Sequence, residues 1–181
     1  ARRDSAGSRL CPEDLPVDVI TSARVLHVTG VTPALSDTAR AAVYRAVELA
    51  SSSGVPVSFD VNHRARLWSD DEATAVFGDL VKRCDIVFAS EHEAALIVGA
   101  CGAADAAARL AELGPRQAII KRGDLGYAAL VEGRQFSGPA VSVPVADPVG
   151  AGDAFVAGYL ASWLDDAGPA QALETANLVG A

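Results

Sequence analysis

Apolar positions along the chain fall into two alternating patterns. Short apolar runs bounded by turn residues predict strands, and longer stretches with apolar positions three and four apart predict helices. Arg24–Val28 (RVLHV) is the first strand-like run. Ser36 then stands as the N-cap of a helix over Asp37–Ala50. Val43, Ala46, Val47 and Ala50 share one face of it, and Arg40, Arg45 and Glu48 lie off that face. The tract SSSG ends this helix, and Val55–Val61 (VPVSFDV) predicts the next strand. Ser69 caps a second helix over Asp70–Arg83, with Asp70, Asp71 and Glu72 in its first turn and Lys82 and Arg83 in its last, as the helix dipole favours. Asp85–Ala89 (DIVFA) and Gln117–Lys121 (QAIIK) predict two more strands. Between them lie helical stretches at Glu91–Val98 and Ala103–Leu113, the second stopped by Gly114-Pro115. Gly123–Gly126 has turn chemistry, and Tyr127–Glu132 and Arg134–Phe136 flank Gly133 as a hairpin. Asp153–Leu164 predicts another helix, and Pro169 opens a last one that runs to the end of the sequence.

This alternation implies an α/β fold with a mostly parallel, doubly wound sheet and helices on both faces. The 181 residues suffice for one domain with its own core, residues 1–181, and no repeat or linker interrupts them. Ligands of such sheets bind beyond the carboxyl ends of the strands. The polar residues there are therefore the candidates: Thr29-Gly30, Asp60 to Arg64, Ser90 to Glu93, Lys121 to Gly126, and the segment before the sixth helix.

Composition narrows the partners. Half of the residues are apolar and the net charge is −8, with a pI of about 4.8. That balance argues against nucleic acid or an anionic membrane as partner. It leaves a small anionic ligand open, because local arginines and backbone amides can oppose the global charge. No charge-free stretch is long enough to span a bilayer as a helix. The first residues, ARRDSAGSRL, lack the apolar core of a secretory signal. Three widely spaced cysteines, Cys11, Cys84 and Cys101, suit a reducing cytoplasm better than a disulfide framework. The sequence has no methionine, even at position 1, which leads us to expect a piece of a longer chain.

The densest chemistry lies in DPVGAGDAF, residues 147–155. A helix N-terminus offers unpaired N–H groups and a positive dipole end, and glycines there let an anion approach the backbone. Gly150, Ala151 and Gly152 would form such an anion pocket. Asp153 beside it would repel a bound phosphate. It belongs there if it must take a proton from a hydroxyl that attacks the phosphate. The pattern therefore points to phosphoryl transfer, with an ordinary first-turn acid as the alternative. It is neither G-x-G-x-x-G nor G-x-x-x-x-G-K-[ST], so dinucleotide and Walker readings fail on spacing.

DPVGAGDAFVAGYLA resembles the C-terminal signature of the ribokinase-like (PfkB) carbohydrate kinases. GVTPAL (30–35), FDVNHRARLW (59–68) and SAGSRL (5–10) resemble the 2-keto-3-deoxygluconate kinase branch, and the resemblance spans nearly the whole chain. It implies a ribokinase-like fold in an incomplete domain, the C-terminal two-thirds of such a kinase, without the N-terminal lid region and the extreme C-terminus. It also implies roles. Asp153 matches the catalytic base, and Gly150, Ala151 and Gly152 match the anion hole. Arg64 matches the arginine that grips a sugar acid's carboxylate, suited to a bidentate guanidinium. Val31 and Arg2 match weaker substrate contacts. Ser90 and Glu93 match the family's Asn-x-x-Glu, with serine for asparagine; Glu93 would assist Mg²⁺ through water. Lys121, Gly123 and Gly126 match the ATP-side loop, and Asn177 falls where the family places an asparagine near the adenine. Asp147 matches a position that helps bind a monovalent cation such as K⁺.

His92-Glu93 is not a zincin motif, since Leu96 stands where the second histidine would be, and no zinc is expected. Arg66 reads as a surface residue and Trp68 as loop packing. The implied activity is ATP- and Mg²⁺-dependent phosphorylation of a sugar acid, 2-keto-3-deoxygluconate first, by a cytoplasmic enzyme that forms a homo-oligomer when intact. Two alternatives stay open: a kinase for a neutral sugar or nucleoside, and a non-catalytic nucleotide- or sugar-binding module. The isolated 181-residue piece is expected to be poorly stable or to associate, and to be inactive alone.

Overall fold

The computed structural model describes residues 5–144, 147 and 149–181. A six-stranded sheet organises them, in the simple order β1-β2-β3-β4-β5-β6. The strands are β1 Leu26–Thr29, β2 Val57–Asp60, β3 Ile86–Ser90, β4 Gln117–Lys121, β5 Tyr127–Val131 and β6 Arg134–Gly138. The first four run parallel, and β5 and β6 add an antiparallel hairpin to the edge of β4. The helices are α1 Val17–Thr21, α2 Asp37–Ser52, α3 Asp70–Val81, α4 Glu91–Val98, α5 Ala103–Glu112, α6 Ala151–Leu164 and α7 Pro169–Val179.

Strand side chains alternate between two cores, one on each face. On β3, Val87 and Ala89 join the cluster that contains α2 residues Val43 and Val47, α3 residue Phe77 and α5 residue Leu110. Ile86 and Phe88 join the cluster formed with Phe155, Tyr159 and Leu173 of α6 and α7. The doubly wound α/β reading is thus the observed fold. A buried hydrogen bond, Tyr159 hydroxyl to Gln117 Oε1 at 2.7 Å, ties α6 to the start of β4. Both polar groups leave water there, so each needs the other.

Helix starts follow their caps. Ser36 accepts from Ala39 N–H, and Ser69 and Ser90 each form a reciprocal capping box with the glutamate three residues on. Several boundaries differ from expectation by one or two residues, among them β1 (Leu26–Thr29 against Arg24–Val28), β2 (Val57–Asp60 against Val55–Val61) and the end of α3 (Val81 against Arg83). α6 begins at Ala151, two residues before the predicted Asp153, because Gly150 takes a left-handed N-cap conformation (φ 89°, ψ −7°) that turns the chain into the helix. α7 ends at Val179 with Gly180 as its C-cap. The short α1 and the 3₁₀ turns at Ala6–Arg9, Pro12–Asp14 and Thr32–Ala34 were not predicted from the pattern. These elements are too short to show a period.

Candidate active site

Four strand ends and one helix start converge at the carboxyl edge of the sheet. Their chemistry centres on Asp60, the last residue of β2. Its side chain is 1% exposed, and its Oδ1 accepts from Lys121 Nζ of β4 at 2.7 Å. Burial raises the Asp60 carboxyl above the usual range; Lys121 opposes the rise, and the negative fields of Glu93 and Asp153 add to it. Among the described residues, Lys121 is the ion-pair partner of Asp60 alone, and no three acids, histidines or cysteines stand close enough to hold a metal ion by themselves.

Asn62 links this pair to the start of α6. Its Nδ2 donates to Asp60 Oδ2 at 3.3 Å and to Asp153 Oδ1 at 3.2 Å. Its backbone is left-handed (φ 38°), a region asparagine tolerates better than most residues. Asp153 is the third residue of α6 and is exposed. The first helical bond of α6 runs from Ala154 N–H to Gly150 C=O at 2.8 Å. The N–H groups of Ala151, Gly152 and Asp153 precede it and make no backbone hydrogen bond among the described residues. A Cβ placed on Gly152 would sit 3.6 Å from Lys121 Nζ, so the ammonium also reaches the anion turn.

A cleft of about 580 Å³ opens on the other side of this turn. Lys121, Gly123, Gly126, Asp147, Ala151, Gly152 and Asn177 line it, so five of the expected ATP-side residues (Lys121, Gly123, Gly126, Gly152 and Asn177) share one cleft, whereas Gly150 and Ser90 are not in its lining. Several have structural duties as well. Gly126 (φ 88°) packs so closely on the end of β6 that a Cβ would lie 2.0 Å from Gly138 O. Asn177 donates to Pro139 O at 2.8 Å, and Asp147 Oδ1 accepts from Val149 N–H at 2.9 Å.

The acceptor-side residues lie apart from that cleft. Arg64 is exposed in the turn after Asn62, whose backbone is closed by Leu67 N–H to Arg64 O at 2.8 Å. Arg66 is exposed beside it. Val31 is half-buried against the core at the end of the β1 exit, so part of its role is packing. Ser90 caps α4 through its hydroxyl, and Glu93 accepts from Ser90 N–H at 2.7 Å and from His63 N–H at 2.8 Å. Trp68 is buried edge-on to Phe77, with ring centroids 5.2 Å apart, as loop packing requires. Arg2 lies outside the described residues. A second, open cleft of about 770 Å³ sits at the opposite, amino end of β2 and β3, around Pro56, Lys82, Cys84 and Asp85.

Sequence reasoning pointed to Asp60–Arg64 as a segment but missed the Asp60–Lys121 pair, the Asn62 bridge and the His63–Glu93 contact. Residues 61 and 91 positions apart meet in the first two. The spacing Asp-x-Asn at a strand end was the available signal for the bridge.

Comparisons with known proteins identify the family and the fold. The family model described as pfkB family carbohydrate kinase matches residues 4–181. A 2-dehydro-3-deoxygluconokinase from Thermoproteus tenax is 34% identical over 97% of this chain and 53% of its own length. A fructokinase from Klebsiella pneumoniae is 37% identical over 88% of this chain and 52% of its own. The chain thus spans about half the length of the curated relatives it matches. Among solved structures, the ribokinase II protein of E. coli, in complex with ATP and Mg²⁺, superposes with a TM-score of 0.89. It is 26% identical, and the match covers 98% of this chain and 57% of that one.

Proposed function

The chain belongs to the pfkB family of carbohydrate kinases, and from that premise we propose that the full-length protein phosphorylates a sugar acid with ATP. The acceptor is 2-keto-3-deoxygluconate, taken to its 6-phosphate. The observation that carries this reading is the position of Asp153: its carboxylate stands on the anion turn and is held by Asn62, two residues before Arg64.

In the proposed reaction, Asp153 accepts the proton of the sugar's primary hydroxyl. The hydroxyl oxygen bonds to the γ-phosphorus as the bond to the β–γ bridging oxygen breaks, and ADP leaves. The N–H groups of Ala151, Gly152 and Asp153, with Lys121 Nζ beside Gly152, face the charge of the transferring group. Gly123, Gly126 and Asn177 border the nucleotide in the 580 Å³ cleft. Arg64 pairs with the acceptor's carboxylate, and Val31 and Arg2 add weaker contacts. Glu93 would hold Mg²⁺ through water, and bound Mg²⁺ would neutralise the polyphosphate. Asp147 would help hold a monovalent cation, which a K⁺-for-Na⁺ exchange in the assay tests. The free cysteines Cys11, Cys84 and Cys101 fit work in the reducing cytoplasm. Among the described residues, no single helix is long and apolar enough to cross a membrane.

A neutral-sugar kinase is the second reading, favoured by the 37% identity to a fructokinase. ADP release by the full-length protein with 2-keto-3-deoxygluconate, gluconate, fructose and ribose decides between them. Preference for the keto-acid that Arg64→Ala weakens supports the sugar-acid reading. Equal loss with fructose removes the role given to Arg64.

A further inference from the structure

Glu93 does more in this fold than cap a helix. As the third residue of α4 it accepts Ser90 N–H on Oε2, which closes the local capping box. The box at the start of α3 makes the same local bond, from Ser69 N–H to Glu72 Oε2. In α4, however, the other oxygen reaches across the sheet edge: Oε1 accepts from the backbone N–H of His63 at 2.8 Å, thirty residues away in sequence. The second bond ties the β3–α4 junction to the exit of β2.

His63 lies between Asn62, which holds Asp153, and Arg64. Its imidazole is buried edge-on to Phe77 (centroids 5.8 Å apart), with Nε2 3.7 Å from Asp70 Oδ1. Side-chain packing on Phe77 thus fixes one side of the loop, and Glu93 fixes its backbone. A half-buried N–H that loses a charged acceptor is left unsatisfied, which is enough to let a surface turn drift. Arg64 is exposed and needs a defined backbone to aim a guanidinium bidentately.

We propose that Glu93 is a positioning residue for the acceptor loop: it holds the His63 backbone and so sets where Arg64 meets the acceptor's carboxylate. This rests on the sugar-acid reading above. Each carboxylate oxygen keeps a second lone pair, so water-mediated contact with Mg²⁺ is compatible with it.

The test uses the full-length protein. In the unliganded state, Glu93→Ala should speed amide hydrogen exchange over residues 61–67 about tenfold, an effect that a purely metal-side role would not produce. Glu93→Gln keeps one acceptor oxygen and should shift exchange in the same direction by less, which preserves the test if the alanine variant folds poorly. In turnover, Glu93→Ala should raise KM for 2-keto-3-deoxygluconate about tenfold. Added to Arg64→Ala it should raise KM little further, because both act through one guanidinium. Wild-type exchange in both Glu93 variants, or fully additive KM changes, overturns the proposal. Loosened exchange with a harmless Arg64→Ala would instead sink the sugar-acid reading and leave the loop-holding role standing.

Discussion

On the acceptor side of Asp153, the loop from Val61 to Trp68 is fastened at many points. Asn62 bonds two carboxylates, Glu93 bonds the His63 N–H, and His63 and Trp68 pack edge-on to Phe77. Arg40 also stacks over Trp68, 5.6 Å from its ring. On the nucleotide side, among the described residues of the turn into α6, Asp147 Oδ1 accepts from Val149 N–H and Gly150 takes a left-handed conformation. Val149 is 86% exposed, and a Cβ on Gly150 would meet open space. The contrast teaches that this site combines a pre-shaped acceptor loop with an open anion turn. On the proposed function, the first would select by geometry fixed before binding, and the second would offer backbone N–H groups to a phosphate. Substitutions on the two sides should therefore fail differently.

The largest effect should come from Asp153→Asn, which stands where the two sides meet. ADP release should fall by about 10²–10⁴-fold. The melting temperature should barely move, since the side chain is exposed. Substantial residual turnover would remove Asp153 from the role of base.

Lys121→Met should cost about 3 kcal/mol of stability by stranding the Asp60 carboxylate in the core. Its pH dependence has a definite sign. Without Lys121, the opposition to burial is gone and the native Asp60 carboxyl rises further. The native state then binds a proton more tightly than the unfolded chain does. Stability of the variant should consequently increase as pH falls from about 7 toward the ordinary carboxylate range near 4. Chemical denaturation at several pH values measures this, and a variant that weakens on acidification across that window contradicts it.

The two glycines sharpen the comparison further. Gly126→Ala puts a methyl 2.0 Å from a backbone oxygen at positive φ, and should destabilise by about 3 kcal/mol. Gly150→Ala has a similar φ but free space around it, and should cost only about 1 kcal/mol. Turnover should still suffer in Gly150→Ala if the anion turn works through its backbone shape. Equal thermal shifts in the two variants would show that packing, not dihedral strain alone, was misjudged at the hairpin.

Much of this was legible along the chain. Ser36 and Ser69 marked two helix starts that the structure matches to the residue, and the helix expected from Glu91 also begins there, with Ser90 as its cap. DIVFA and QAIIK, apolar at their centres, announced strands buried on both faces, and β3 and β4 are that. The start of α6 was misplaced by two residues because its cap is a left-handed glycine with no side-chain signal. Of the candidate residues, those near the glycine turn could be named from DPVGAGDAF. The long-range partners of Asp60, Asn62 and Glu93 (Lys121, Asp153 and His63) could not, because each lies in another segment of the chain.

The sequence by itself determined the elements, the sheet's two-faced burial and the cluster of polar residues at strand ends, since these depend on local period, caps and turns. It also carried the family's signature around Asp153. Only the tertiary structure decided which of those polar groups share charge. Lys121 meets Asp60, Asn62 meets Asp153, and Glu93 meets His63 because parallel strands bring their carboxyl ends to one edge. Such pairings are set by strand order and register, and nothing in the spacing of residues along the chain encodes them directly.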